Sequence, residues 1–511
     1  MIADTRHSQI LCIYLASCIV LGGASAAGVL ANLVLQLCAI PLLILSLVRL
    51  SGKTLGRRHV ALLAIAGAAA LLPLMQLVPM APSAWQGLPF RDGIAGGFAA
   101  LGMALPWLPV SLDPSATLAS WLALLPAAAL VLAVMTLEAD QRVWIGWTVL
   151  GAALVSALIG MAQFGSGDLY FYDITSGGSA VGFFANRNHL ATLLLVALPA
   201  LTLHLSVAGT PVTGMPGRGM PGWSSRDIVF LGLLAILLLG ILFTGSRAGI
   251  GLALPVLLTS LGLRMRAHSG QSPRLLIIAA GSVSALIVAA IAFGPSLARA
   301  FRKTALLNED DTRLVAMQTT AEAGWRAFPV GTGFGTFDPI FRLVGGDANL
   351  GTNFVNHAHN DYVELWLTGG LAAAALIFGF LWWFVGAARA SWRARSDNAG
   401  AVPRVAAVSI AIILVHSLVD YPLRTAAMSA IFAVCCGLLL EPVLARRRLD
   451  RGARPYGGAN PAMPAREALA LRARQEALAP AVLSPALGTA VPPSHFADAP
   501  ASVESCAGTG R

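Results

Sequence analysis

Long apolar runs alternate with short polar breaks over most of this chain. Drawn as helices, the runs give about twelve spans, with approximate limits 8–25, 28–48, 59–79, 116–137, 143–164, 189–207, 228–244, 248–263, 275–293, 361–387, 404–421 and 424–441. Each is near the ~20 residues that carry a helix across hydrocarbon. The stretch 94–108 reads as a further re-entrant or interfacial piece. A β-barrel would show short segments of strict alternation instead. The pattern predicts an all-α, polytopic membrane domain over residues 1–445, and shows no internal repeat.

The polar breaks set the expected orientation. Arg49, Lys53, Arg57 and Arg58 lie on one side. Counting spans places Arg142, Arg218, Arg226, Arg264, Arg266, Arg274, Arg389, Arg393, Arg395, Arg404 and Arg446–Arg448 on that same side. Basic residues collect on the cytoplasmic face, so both termini are expected there and the span count is even. Three loops then face outward: 80–115, 165–188 and 294–360. The longest, 294–360, predicts a surface helix: Asn308 as cap, Glu309, Asp310 and Asp311 in the first turn, and Leu314, Met317, Ala321, Trp325 and Phe328 as its apolar face. Residues 446–511, rich in Ala, Pro and Arg, read as a disordered cytoplasmic tail in which 465–477 could turn helical.

Composition agrees. The 511 residues are 57% hydrophobic and 11% charged, with mean hydropathy +0.74, more apolar surface than a soluble fold can hide. The net charge of +10 invites a nucleic-acid reading, but the cations fall between apolar runs, where they report topology. Of six cysteines, Cys12, Cys18, Cys38, Cys435 and Cys436 sit in apolar spans and Cys506 in the tail; no spacing suggests a disulfide framework or a zinc site. The first apolar run does not resemble a cleaved signal, since another span follows directly.

Against that background the stretch Asn356–Glu364 stands out. It packs two imidazoles, two carboxylates and two carboxamides into nine residues at the start of an apolar helix. Polar groups at a membrane surface are costly unless they serve a purpose. His359 falls at the first turn, where Asn356 or Asn360 can cap and the helix dipole favours a neutral imidazole able to accept a hydroxyl proton. Asn360 and Glu364 share a helix face, and Glu364 needs an arginine, a proton or water. His357-Ala358-His359 is a weak metal pattern. Thr244-Gly245-Ser246-Arg247-Ala248-Gly249 brings one guanidinium to the outer surface, with a planar fork suited to phosphate. Arg187, in Asn186-Arg187-Asn188-His189, could complete a two-point diphosphate clamp. Tyr170-Phe171-Tyr172 could stack on sugars or sit in an interfacial belt. His416 and Asp420, four apart, are expected to pair and orient a neighbouring helix. Gly331-Thr332-Gly333-Phe334-Gly335 follows no strand, so it reads as a tight turn rather than a nucleotide loop.

Taken in order, Gly182–His189, Phe243–Gly249, Phe328–Phe337, His357–Trp366 and His416–Pro422 resemble the O-antigen ligase family, which includes O-antigen polymerases and related oligosaccharyltransferases. The resemblance spans roughly residues 50–445. It implies a GT-C-like glycosyltransferase of the bacterial inner membrane with a periplasmic active site. Such an enzyme would move a glycan from undecaprenyl diphosphate to lipid A–core, to another carrier-linked glycan or to a protein hydroxyl, without metal, nucleotide or other cofactor. Carried over by motif, Arg247 and His359 are the catalytic candidates. Arg187 matches a further basic position, and Asn188, His357, Asn360 and Glu364 are candidate diphosphate- and substrate-binding residues. The Asp361-Tyr362-Val363-Glu364 run, where ligases often have apolar residues, leaves the acceptor open. The expectation from another class is a solute transporter, in which Glu364, His416 and Asp420 would line a path. Such proteins often show inverted repeats and broken helices near the bilayer midplane.

Overall fold

The computed structural model describes residues 2–25, 28–207, 225–267, 309–345, 355–393, 400–442 and 444–445. The architecture is helical. In chain order the helices are α1 (Ile2–Leu21), α2 (Leu30–Ser51), α3 (Arg57–Gln76), α4 (Pro114–Leu122), α5 (Leu125–Thr136), α6 (Ala139–Ser166) and α7 (Arg187–Val207). They continue with α8 (Ser225–Thr244), α9 (Arg247–Ala267), α10 (Glu309–Arg326), α11 (Phe337–Val344), α12 (Asp361–Arg393), α13 (Ala401–His416) and α14 (Ala426–Leu438). Two short helices, Pro82–Trp85 and Asp92–Ala100, occupy the first long loop, the second of them overlapping the start of the piece expected at 94–108. Among the described residues five helical stretches are long and apolar enough to cross a membrane: Leu30–Ser51, Arg57–Gln76, Pro114–Thr136, Ala139–Ser166 and Asp361–Arg393. Five shorter apolar helices accompany them. The span expected at 275–293, the cap Asn308 and the tail helix at 465–477 lie outside the described residues.

Local chemistry sets the helix ends. Asp113 caps α4, accepting from the backbone N–H groups of Ser115 and Ala116 at 3.0 Å, with Pro114 at the first position. Glu138 and Gln141 form a capping box on α6, which ends at Gly167 in the left-handed conformation. In the core α7 packs against α6, α8, α9 and α13, and its residues from Leu190 to Leu201 are almost all buried. α5 packs on α2 and α14. Two backbone bridges close the ends: Lys53–Thr54 pairs antiparallel with Leu444–Ala445, and Pro79–Met80 with Leu108–Pro109.

The helices sort their polar residues to two ends. At one, Lys53, His59, Arg142 and Arg404 meet the last turns of α5, α12 and α14. This is the end to which span counting assigns the basic clusters. At the other, the starts of α7, α9 and α12 gather with the ends of α1, α3 and α13. Ala427 N–H donates to Gly22 O, Asp361 N–H to Ser417 O, and the Gln76 amide to Thr368 O.

The surface helix expected within 294–360 is present as α10, but its buried face is not the expected one. Ala316, Thr320, Ala323 and Ala327 are buried, whereas Leu314, Trp325 and Phe328 are exposed. The reason is steric. α10 lies so close to α12 that a Cβ on Gly324 would sit 2.3 Å from the Trp366 ring, so only small side chains fit between. The large apolar groups turn outward, where Trp325 and Phe328 stack around Trp366.

Candidate active site

α12 is broken at Gly370, whose φ of 55° and ψ of −142° are open to glycine and costly for other residues. The break separates a polar arm, Asp361–Gly369, from the apolar stretch that follows. It frees helix carbonyls, and the Gly331–Gly335 run meets two of them: Thr332 N–H donates to Leu367 O and Gly333 N–H to Thr368 O, while the helix's own Leu371 N–H donates to Pro329 O just before the run. A Cβ on Gly331 would stand 2.6 Å from Thr368 O. The glycine-rich run is thus a turn, as expected, and it also docks onto the broken helix.

Asn360 caps the arm. Its Oδ1 accepts from Tyr362 and Val363 N–H, and its amide donates to Leu418 O at 2.8 Å. Both ends of that side chain therefore serve the fold. His359 lies just before the helix with φ of 52°, a left-handed backbone rare outside glycine. Strain of this kind, worth about 1–3 kcal/mol, persists where the surroundings over-determine it.

His359 Nδ1 lies 3.1 Å from Asp420 Oδ1. The Asp420 side chain is 1% exposed and that of His359 18%, so a buried carboxylate holds a half-open imidazole. Asn186 donates to the other carboxylate oxygen at 3.2 Å, and His189 Nε2 stands 3.7 Å from it. Burial would raise the Asp420 carboxyl, but the hydrogen bond from His359 and the neighbouring His189 and Arg313 hold it well below the usual carboxylate range. The expected His416–Asp420 side-chain pair is not what forms. α13 ends at His416, and the turn after it aims Asp420 at α12; His416 Nδ1 instead meets Thr192 Oγ1 at 2.6 Å.

A second carboxylate–imidazole pair lies alongside. His357 Nδ1 is 3.1 Å from both oxygens of Glu364, and Ala358 N–H donates to one of them. Glu364 is 2% exposed and His357 15%. Of the outcomes open to Glu364, the structure shows an arginine: Arg424 Nη1 lies 3.6 Å from it, and Arg424 Nε lies 3.3 Å from Asp361. Asp361 also accepts from the Ser417 hydroxyl at 2.9 Å. Tyr421 is wedged between the pairs, with ring centres 4.5 Å from His357 and 5.0 Å from His359. Burial and Asp420 push its phenol well above the ordinary value.

The remaining expected residues surround this core. Arg187 and Arg247 are the first residues of α7 and α9, half-buried and exposed respectively. The two helices start side by side, because Gly249 abuts Ala191. Asn186, next to Arg187, is bonded to Asp420. Asn188 is buried, and its carbonyl accepts from Thr192. Tyr170 and Tyr172 use their hydroxyls on Ser179 O and Leu21 O, which leaves Phe171 exposed. Among the described residues no group of three or more His, Cys, Asp or Glu side chains is arranged to hold a metal.

Residues 232–378, less than a third of the chain, match the family model described as O-antigen ligase. That stretch is similar to the O-antigen ligase family. A search of curated proteins gave no match. The matched stretch contains Arg247, His357, His359 and Glu364. Arg187, Asp420 and Arg424 fall outside it, yet two of those three bond directly to its histidine motif or its first turn. The family points to a glycosyltransferase-type membrane enzyme of surface-polysaccharide assembly.

The roles of three residues around this cluster escape a reading of the sequence alone. Asp420 is hidden by its spacing to His416. Arg313 sits on α10 among the acidic residues of its first turn. Arg424 leaves a signal: it is a cation at the short connection between the last two expected spans, on the side where span counting expects few.

Proposed function

We propose that the protein transfers a glycan from undecaprenyl diphosphate to an acceptor hydroxyl, with the histidine-rich end facing the periplasm and the basic end the cytoplasm. The observation that carries this reading is the bond between buried Asp420 and half-open His359. A carboxylate at Nδ1 accepts a hydrogen bond from Nδ1–H, which leaves the lone pair on Nε2, pointing away from Asp420. Nε2 then removes the acceptor's hydroxyl proton as the oxygen attacks the anomeric carbon, and direct attack inverts that centre. The guanidinium of Arg247, with Arg187 beside it, binds the diphosphate and stabilises the charge it gains on leaving. A diphosphate leaves readily, so no metal or nucleotide is required. The acceptor is lipid A–core in the ligase form of the reaction; a second carrier-linked glycan or a protein hydroxyl gives the polymerase and oligosaccharyltransferase forms.

The test is transfer from a lipid-linked glycan by the purified full-length protein. His359→Ala should lower turnover by about 10²–10⁴-fold. Arg247→Ala should weaken both donor binding and rate. Undiminished turnover in His359→Ala would remove the base assignment. Counterflow of a solute in proteoliposomes without lipid-linked donor would support a transporter instead.

A further inference from the structure

The two histidines of the His357-Ala358-His359 motif are built alike but balanced differently. Each offers Nδ1 to its own buried carboxylate, each is open by less than a fifth of its side chain, and both pack on the Tyr421 ring. Two imidazoles so placed reach one substrate.

Their charges set them apart. Asp361 accepts from Ser417 Oγ, Leu423 N–H and Arg424 Nε, while Glu364 accepts from His357, Ala358 N–H and Arg424. Every contact these four oxygens make comes from a donor, as suits two ionised carboxylates. Among the described ion pairs they share one guanidinium, Arg424, which leaves the group one positive charge short. Buried charge is tolerated when it is paired. Asp420 differs: besides His359, the Asn186 amide donates to it and His189 and Arg313 bear on it.

We propose that His357 is the cationic partner of the reaction: held on Glu364 as an imidazolium, it donates its Nε2 proton in a hydrogen bond to the phosphate oxygen of the departing diphosphate. Glu364 and Arg424 are its positioning residues. This rests on the glycosyl-transfer reading above. In the step, the acceptor oxygen bonds to the anomeric carbon and its proton passes to His359 Nε2. The bond from that carbon to the phosphate oxygen breaks, and the electron pair leaves with the oxygen, onto which His357 holds its hydrogen bond. One histidine thus takes a proton from the nucleophile while the other offers one to the leaving group.

The experiment uses the full-length protein in nanodiscs, with wild type, His357→Gln, His357→Lys and Glu364→Gln. Two quantities are read: transfer from a lipid-linked glycan, and affinity for farnesyl diphosphate relative to farnesol. A hydrogen bond to a charged group supports an expected loss of about ten- to a hundredfold in His357→Gln for both. His357→Lys restores a cationic donor and should recover most of the diphosphate preference. Glu364→Gln should lower turnover more than donor affinity. Equal behaviour of the Gln and Lys variants would overturn the proposal, since a purely structural hydrogen bond is served by either. The farnesyl diphosphate measurement decides the matter even if a variant turns over too slowly to follow. Wild type without any transfer would remove the parent reading too. Wild-type transfer with His357→Gln unimpaired would remove only this inference.

Discussion

The two ends of the helix bundle both bury polar side chains, and they use them in opposite ways. At the basic end the partners are backbone carbonyls. Arg142 reaches Leu137 O, Val134 O and Leu440 O; Lys53 donates to Thr136 O, and Arg404 to Ser391 O. These cations satisfy the unpaired carbonyls that every helix C-terminus leaves, and they complement its dipole. At the histidine end the partners are other side chains. His359 meets Asp420, His357 meets Glu364, and Arg424 ties Asp361 to Glu364. A cation on a carbonyl finishes a helix. A carboxylate behind an imidazole sets which ring nitrogen faces outward, and so prepares proton transfer. Burial alone does not separate structure from chemistry here; the identity of the partner does.

The sharpest way to break this contrast is to delete the carboxylate and leave its shape. Asp420→Asn should cut turnover by about 10²–10⁴-fold, the range for a positioned base, with the helical content unchanged by circular dichroism. Equal activity in that variant would make the histidine end as structural as the basic one. The same residue predicts a pH effect. Asp420 is held low in the folded protein, so its contribution to stability is complete above the unfolded carboxylate value of about 3.9 and declines as pH falls below it. Thermal midpoints measured from pH 7 down to pH 3 should therefore converge between wild type and Asp420→Asn in the acid range. A gap that widens on acidification would contradict the assignment.

The mirror test belongs to the other end. Arg142→Met removes the guanidinium from Leu137 O and Leu440 O, while Val134 O keeps the Leu137 N–H, and should destabilise the fold by about 1–3 kcal/mol in denaturant titration. Turnover per folded molecule should stay within about twofold, because nothing in the chemistry touches that end; the estimate follows from the modest effect expected of a remote site. The smallest expected effect is at Asp113, where Asp113→Ala removes the α4 cap and should cost about 1 kcal/mol with turnover unaltered.

Much of the fold was legible in the sequence because hydrophobic length is a strong signal. The helices start or end within a few residues of the expected spans through most of the described chain, and Lys53, Arg142 and Arg404, which charge counting groups together, lie at one end. The face of α10 was misread because periodicity locates large apolar groups, whereas a close helix contact selects small ones. The cluster Asn356–Glu364 was visible as an excess of polar groups in an apolar chain. Its partners were not. Asp420 and Arg424 lie some sixty residues away, and local spacing offered Asp420 a nearer histidine. Pairing across helices depends on where a turn aims a side chain, and periodicity carries no record of that.

The glycine joint in α12 has a mechanical consequence. A membrane span tilts to match the thickness of its bilayer, and an unbroken helix would transmit that tilt to whatever it carries. Here the span from Leu371 onward meets the polar arm at a residue free of helical constraint, while Gln76, Thr332 and Gly333 hold the arm by its carbonyls. A change of tilt beyond the joint can then be taken up at Gly370, while the arm that carries Asp361 and Glu364 is held from outside its own helix. A joint of this kind separates the geometry of the polar cluster from the tilt of the apolar helix below it.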